Sequence, residues 1–175
     1  DTHLIFRGKS RVSNADSVAA LGDWFVTGHD DGHLQLWSTH KKRAVATIAC
    51  AHNDNMTNHL TTEKNGATTT ATKTTLGRGI SCVRALPSSD FVVSGSNDGY
   101  LRLWKVLMGQ SHDERGIEVI GKIPLTGYVN DVAVGPEARF CVAAVGQEPR
   151  LGRWDRVARA KNRLVIVPLR NSALP

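Results

Sequence analysis

One outline recurs in this sequence: a glycine, a turn, a short alternating run and a closing tryptophan. It reads GHDDGHLQLW at 28–37, GSNDGYLRLW at 95–104 and GQEPRLGRWD at 146–155. A repeat constrains the fold more than any composition does, because each unit must bury its apolar face against the next one. Anchored on Trp37, Trp104 and Trp154, three units line up. Before each turn runs an apolar strand: WFVTG at 24–28, FVVSG at 91–95 and FCVAAVG at 140–146. Ahead of it lies another, SVAAL at 17–21, SCVRAL at 81–86 and VNDVAVG at 129–135, and a further run follows the tryptophan, AVATIA at 44–49, IEVIGKIPL at 117–125 and RLVIVPL at 163–169.

Each unit thus reads as four short strands separated by Gly, Asp, Asn and Pro turns. Such units, with tryptophan closing the third strand, predict an all-β propeller. Along LRLW, Leu101 and Leu103 point one way and Arg102 and Trp104 the other, so neighbouring units must cover both sides; Arg102 is expected to face solvent. Asp31-Gly32 and Asp98-Gly99 suit tight hairpins, which makes Asp31 and Asp98 structural alongside the three tryptophans. The expected divisions are a stray strand at 1–8 (HLIF at 3–6), a blade at 9–49, a Thr/Asn-rich insertion at 50–79, blades at 80–125 and 126–170, and a tail at 171–175. Three units and a strand do not close a ring of the usual 4–8 blades, so the remainder is expected to precede Asp1.

The insertion holds almost no large apolar side chains, which predicts a mobile loop without a core contribution. His52 and His59 within it fit no common zinc spacing. Cys50, Cys82 and Cys141 form no CxxC pair and read as free thiols, in keeping with a reducing compartment. No apolar run approaches the ~18 residues of a membrane helix. The sequence shows no nucleophile elbow, no paired carboxylates, no phosphate-cradling glycine loop and no metal cluster, so a non-catalytic protein without cofactor, metal or small-molecule substrate is expected.

Charge is unevenly placed. The formal balance is +6, and from residue 139 onward eight bases face only Glu148 and Asp155, whereas residues 1–138 hold 14 of each sign. An excess confined to one end of the chain points to an anionic partner such as nucleic acid. In the third copy of the outline, Gln147, Glu148, Pro149 and Arg150 replace the small turn residues. Arg150, Arg153, Arg156, Arg159, Lys161 and Arg163 form a row suited to phosphate, since the guanidinium fork bonds two oxygens at once. Gln147 and Glu148 either bond a base edge or cap a bulged turn and hold Arg150 by a local ion pair. Lys41, Lys42 and Arg43 form a second cluster, either a solvated turn or a further RNA or partner contact. Trp154, by its alignment with Trp37 and Trp104, is expected in the core.

The sequence resembles WD repeats, though the Gly-His pair usual before the first strand reads Gly8-Lys9, Gly77-Arg78 and Gly127-Tyr128, which leaves the His–Ser/Thr–Trp–Asp bonding array incomplete. A narrower resemblance rests on VGQEPRLGRW (145–154) with VIVPLR (165–170), LIFRG (4–8), FVTGHDDGHLQLW (25–37) followed by KKR (41–43), and IPLTGYVNDVAV (123–134). These segments resemble the C-terminal part of the WD-repeat family specific to the U3 small nucleolar ribonucleoprotein; the Thr-rich insertion departs from that pattern. The resemblance implies a nucleolar protein that binds U3 small nucleolar RNA at its box B/C element beside a kink-turn-binding core protein, with other small-subunit processome proteins, in early ribosomal RNA processing. A WD scaffold that contacts only proteins is the alternative.

Overall fold

A computed structural model describes residues 4–6, 13–53, 78–109, 111 and 114–169. They form three antiparallel sheets set side by side. The first is β1 (Ala15–Leu21), β2 (Trp24–His29), β3 (Leu34–Ser38) and β4 (Lys41–Ile48), in that order. The second is β5 (Cys82–Ala85), β6 (Phe91–Gly95), β7 (Tyr100–Met108) and β8 (Arg115–Pro124). The third holds β9 (Tyr128–Val134), β10 (Phe140–Gly146) and β11 (Arg163–Pro168), ordered β11-β10-β9. The first strand of each sheet lies against that of the next, β1 on β5 and β5 on β9, as blades set around an axis require.

Both faces of the second sheet are covered, as the alternation demands. Val83, Val92, Trp104, Val106 and Ile117 pack with Leu21, Val26, Leu34 and Leu36 of the first sheet. Leu101, Leu103, Phe91 and Val93 pack with Val129, Val132, Cys141 and Val145 of the third. Burial of a Val, Leu or Phe side chain contributes about 1.5–3 kcal/mol, so these two seams dominate cohesion. Glycine permits the close approach: a Cβ at Gly95 would lie 2.5 Å from Val129 Cγ1, and one at Gly28 would lie 2.8 Å from Val83 Cγ2.

Several expectations need correction. The third sheet has three strands among the described residues, not four: the run ending on Trp154 is not a strand, and β11 pairs directly with β10. Trp154 is 73% exposed, whereas Trp37 and Trp104 are buried. Arg102 is fully buried, because the face it occupies is covered by the neighbouring sheet. The stray strand at 3–6 forms no ladder among the described residues; His3 lies outside them, and Phe6 instead packs edge-on against Phe25 and Trp37, with ring centroids 5.2 and 6.1 Å away.

Most of the 50–79 insertion, residues 54–77, lies outside the described residues, as do His59 and the 171–175 tail. Its described beginning is core rather than a coreless loop. Ala51 and His52 are completely buried, and Ala51 joins the seam between the first two sheets. Arg78 N donates to His52 O at 3.3 Å, so the chain leaves and re-enters the fold at one point.

His52 also overturns the expected loss of the bonding array. Its Nε2 lies 2.7 Å from Ser94 Oγ, which accepts from Trp104 Nε1 at 2.8 Å. Its Nδ1 lies 3.1 Å from Asp98 Oδ1, and Arg102 Nη1 donates to Asp98 Oδ2. Burial lowers the His52 pKa, against the pull of Asp98, and keeps the ring neutral at pH 7. Burial alone would push the Asp98 carboxyl up, but bonds from His52 and Arg102 outweigh it and hold it at about 2. The first sheet builds a variant of the array: Trp37 Nε1 donates to Thr27 Oγ1, Thr27 Oγ1 meets His29 Nε2, and His29 Nδ1 meets Ser13 Oγ, each at 2.9 Å. The two turn aspartates serve alike, Asp31 accepting from His33 N and Asp98 from Tyr100 N at 3.1 Å.

Candidate nucleic-acid interface

Between β10 and β11 the chain makes an excursion over 147–162 that replaces the tight Asp-Gly hairpin of the other sheets. Its base is fastened by Gln147. The Gln147 amide N–H donates to Asn162 Oδ1 at 2.9 Å and its carbonyl accepts from Val157 N at 2.8 Å. The side-chain Nε2 donates to the carbonyls of Ala158 and Ala160 at 3.2 and 2.8 Å, and Oε1 accepts from Arg156 Nη2 at 2.8 Å. Gln147 is therefore engaged internally at every polar group, which removes it from the set of base-reading candidates. A second fastening is Asp155, which accepts from the Tyr128 hydroxyl and from Asn97 Nδ2 at 3.3 Å. Burial and the Asp155 carboxylate raise the Tyr128 pKa to about 12, so the phenol keeps its proton and donates. Tyr128 is thus a brace under the loop and not an open stacking platform.

Held this way, the loop presents its bases outward. Arg150, Arg153, Arg156, Arg159, Lys161 and Arg163 are all exposed. They leave from the end of the sheets where β2 turns into β3 and β6 into β7. Glu148 pairs with Arg153, at 3.3 Å, rather than with Arg150 as expected, and Arg153 remains 88% exposed. An ion pair so open to water is screened and leaves the guanidinium available to a phosphate. Arg159 borders a polar hollow beside Asp98, Gly99 and Thr126.

Lys41, Lys42 and Arg43 are exposed too, but they do not join this cluster. They open β4, just after a turn whose Thr39 N donates to Asp23 O in the β1–β2 hairpin at 2.9 Å. That hairpin lies at the opposite end of the sheets. The bases singled out in the sequence therefore split into two sets on opposite rims, and only the 147–163 set is continuous.

Inside the loop, where the sheets converge, is a cleft of about 550 Å³. Asn14 and Asp30 of the first sheet's edge, Arg78 and Asn97 of the second, and Arg150 and Trp154 of the loop border it. Trp154, expected in the core from its alignment with Trp37 and Trp104, instead borders this cleft, because no strand forms there to turn it inward.

Similarity to known proteins agrees with this architecture. The pattern described as "WD domain, G-beta repeat" matches residues 4–38 and 70–105, within the first two units. A "U3 snoRNP-associated protein-like YAOH" of Oryza sativa subsp. japonica is 36% identical over 174 residues, covering 97% of this chain and 33% of the relative. The "U3 small nucleolar RNA-interacting protein 2" of Homo sapiens is 32% identical over 176 residues, covering 100% of this chain and 33% of the relative. A solved structure described as "Crystal structure of RRP9 WD40 repeats" superimposes with a TM-score of 0.76 at 32% identity, over 95% of this chain and 45% of that one. The chain spans about a third of the length of the curated relatives it matches. By repeat, sheet architecture and sequence, the chain is part of a WD-repeat propeller, and it is similar along nearly its whole length to proteins described as U3 snoRNP-associated or U3 small nucleolar RNA-interacting.

Proposed function

We propose that this chain is the closing sector of a WD propeller that works by binding and not by catalysis, within the U3 small nucleolar ribonucleoprotein of the nucleolus. Its 147–163 loop docks on phosphates of the U3 box B/C element, beside the kink-turn-binding core protein, and so serves early small-subunit ribosomal RNA processing with other processome proteins. The observation that carries this reading is the loop itself. In the place of a third strand the chain puts an excursion that, with Arg163 at the start of β11, carries six exposed bases against two acids, and pins it by Gln147 and Asp155. A pinned cationic loop loses little conformational freedom on binding, which makes its charges more effective than those of a floppy tail.

The test is titration of the full chain with box B/C RNA over a series of salt concentrations, with and without the kink-turn protein. Log affinity is expected to fall linearly with log salt, and each of Arg150→Ala, Arg153→Ala and Arg159→Ala should shallow that slope by about 1. Reversal of these arginines to glutamate should abolish specific binding, while Lys41→Glu on the other rim changes it little. A salt-independent affinity, or full binding by the reversed triple variant, removes RNA phosphate as the target and leaves the protein-only scaffold.

A further inference from the structure

We infer that the cleft behind the loop is a binding site for one unpaired nucleobase, with Trp154 as its stacking surface. This rests on the proposed phosphate contact and adds to it a site for the base. Three observations converge. Trp154 is 73% exposed on a loop fastened by Gln147 and Asp155, and its ring lies over Gly152, where any side chain would overlap it. The ring lies along the loop backbone at Gly152 and most of its surface stays open. The cleft volume of about 550 Å³ lies within the range of small-molecule sites. Finally, the walls mix apolar and polar groups: Ile80, Pro149 and Leu151 stand beside Ser81, Asn97 and Asn130, and Asn130 Oδ1 has no hydrogen-bond partner while Asn130 Nδ2 donates to Glu148 O at 3.1 Å.

The chemistry selects the occupant. An apolar anchor from a protein would satisfy Trp154 but leave Asn130 Oδ1 without a donor, at the cost of an unpaired polar group. A nucleobase offers a π face to the indole, ring-edge N–H and C=O groups to the asparagines, and a phosphate on each side. Arg78 and Arg150 border the same cleft and are placed for those phosphates. Stacking on an aromatic ring is tolerant of base identity, so the site is expected to require a base without fixing which one unless the asparagine edge contributes.

The probe is a set of single-stranded hexaribonucleotides of A, C or U, and a ribose-phosphate hexamer lacking bases, titrated into the full chain. Indole fluorescence is read as the difference between the wild type and Trp154→Phe. Base-bearing oligomers should quench the Trp154 signal. Trp154→Ala should weaken their binding about 5- to 150-fold, with Trp154→Phe within a few-fold of wild type. Gly152→Ala, which displaces the ring and leaves every charge in place, should weaken binding in the same direction. Equal affinity for the baseless hexamer, or unchanged binding by Trp154→Ala, overturns the base site; if arginine reversal still abolishes binding, the phosphate reading stands without it. Loss in Trp154→Ala of binding to the kink-turn protein alone, with hexamer binding intact, assigns the ring to a protein contact and likewise overturns the proposal.

Discussion

The second and third sheets begin from nearly the same sequence outline and end in opposite structures. In the second, GSNDGYLRLW becomes a hairpin and a strand, with Arg102 and Trp104 fully buried. In the third, GQEPRLGRW becomes an exposed loop with Trp154 in the open. The difference lies in what the tryptophan finds. Thr27 and Ser94, each one residue before the recurring glycine of the outline, accept the indole N–H of Trp37 and Trp104 at 2.9 and 2.8 Å. The corresponding residue of the third sheet is Val145, buried at 4% exposure, which offers no acceptor. The third copy is also one residue shorter between Gly146 and Trp154. In a strand, a slip of one residue moves every side chain to the other face. Pro149 further removes a ladder donor. A strand there would have pointed Trp154 and the arginines the wrong way, and β11 takes the vacant place beside β10.

The sharpest way to break this comparison is to truncate both tryptophans. Trp104→Ala is expected to cost about 3–5 kcal/mol, because it empties a filled seam and strands the Ser94–His52–Asp98 chain. Trp154→Ala should change stability by no more than about 0.5 kcal/mol. Chemical denaturation of the two variants checks this; equal losses would mean that Trp154 is packed.

Acid sharpens it next, because the titrating network lies in the second sheet. His52 has a folded pKa below its usual 6.5, so the unfolded chain takes up the proton first, and stability present above pH 6.5 declines as pH falls below it. Asp98, held at about 2 against 3.8, adds about 2 kcal/mol that is present above pH 3.8 and lost as pH drops toward 2. The charges facing His52 are Asp98, Arg102 and Lys122. Stability measured from pH 7 to 3 should fall in two stages, and His52→Gln should remove the upper one. A profile flat across pH 6.5–4.5 would show that His52 is not a buried neutral ring.

The smallest effect belongs to the loop's own fastening. Gln147→Ala should lower stability by only about 1 kcal/mol while speeding amide exchange at Val157 and Ala160 well beyond that of β7. Unchanged exchange would mean the loop is held by Asp155 alone.

Much of the fold could be read from the chain because strands and turns are local signals. β2, β6 and β10 coincide closely with the apolar runs WFVTG, FVVSG and FCVAAVG. His52 was illegible for the opposite reason. It sits where composition turns polar, and its partners Ser94 and Asp98 lie 42 and 46 residues away in sequence. Arg102 was half legible: the alternation placed it opposite Leu101 and Leu103, but only the neighbouring sheet shows that this face is closed, and Asp98 four positions earlier is what makes a buried guanidinium tolerable. In the basic loop the residues were visible and their fastening was not. Gln147 read as a base-edge candidate because its partners, the carbonyls of Ala158 and Ala160, are backbone atoms that no side-chain pattern announces.

The hydrogen bond from Arg78 N to His52 O has a consequence for how such a chain can change over time. With the neck of the 54–77 segment tied shut by residues that belong to the fold, the number of amino acids beyond it is nearly free; each doubling adds only about 0.6 kcal/mol of loop-closing entropy. Sequence can be gained, shed or spliced at this port, a reporter or a whole domain included, provided His52 stays seated.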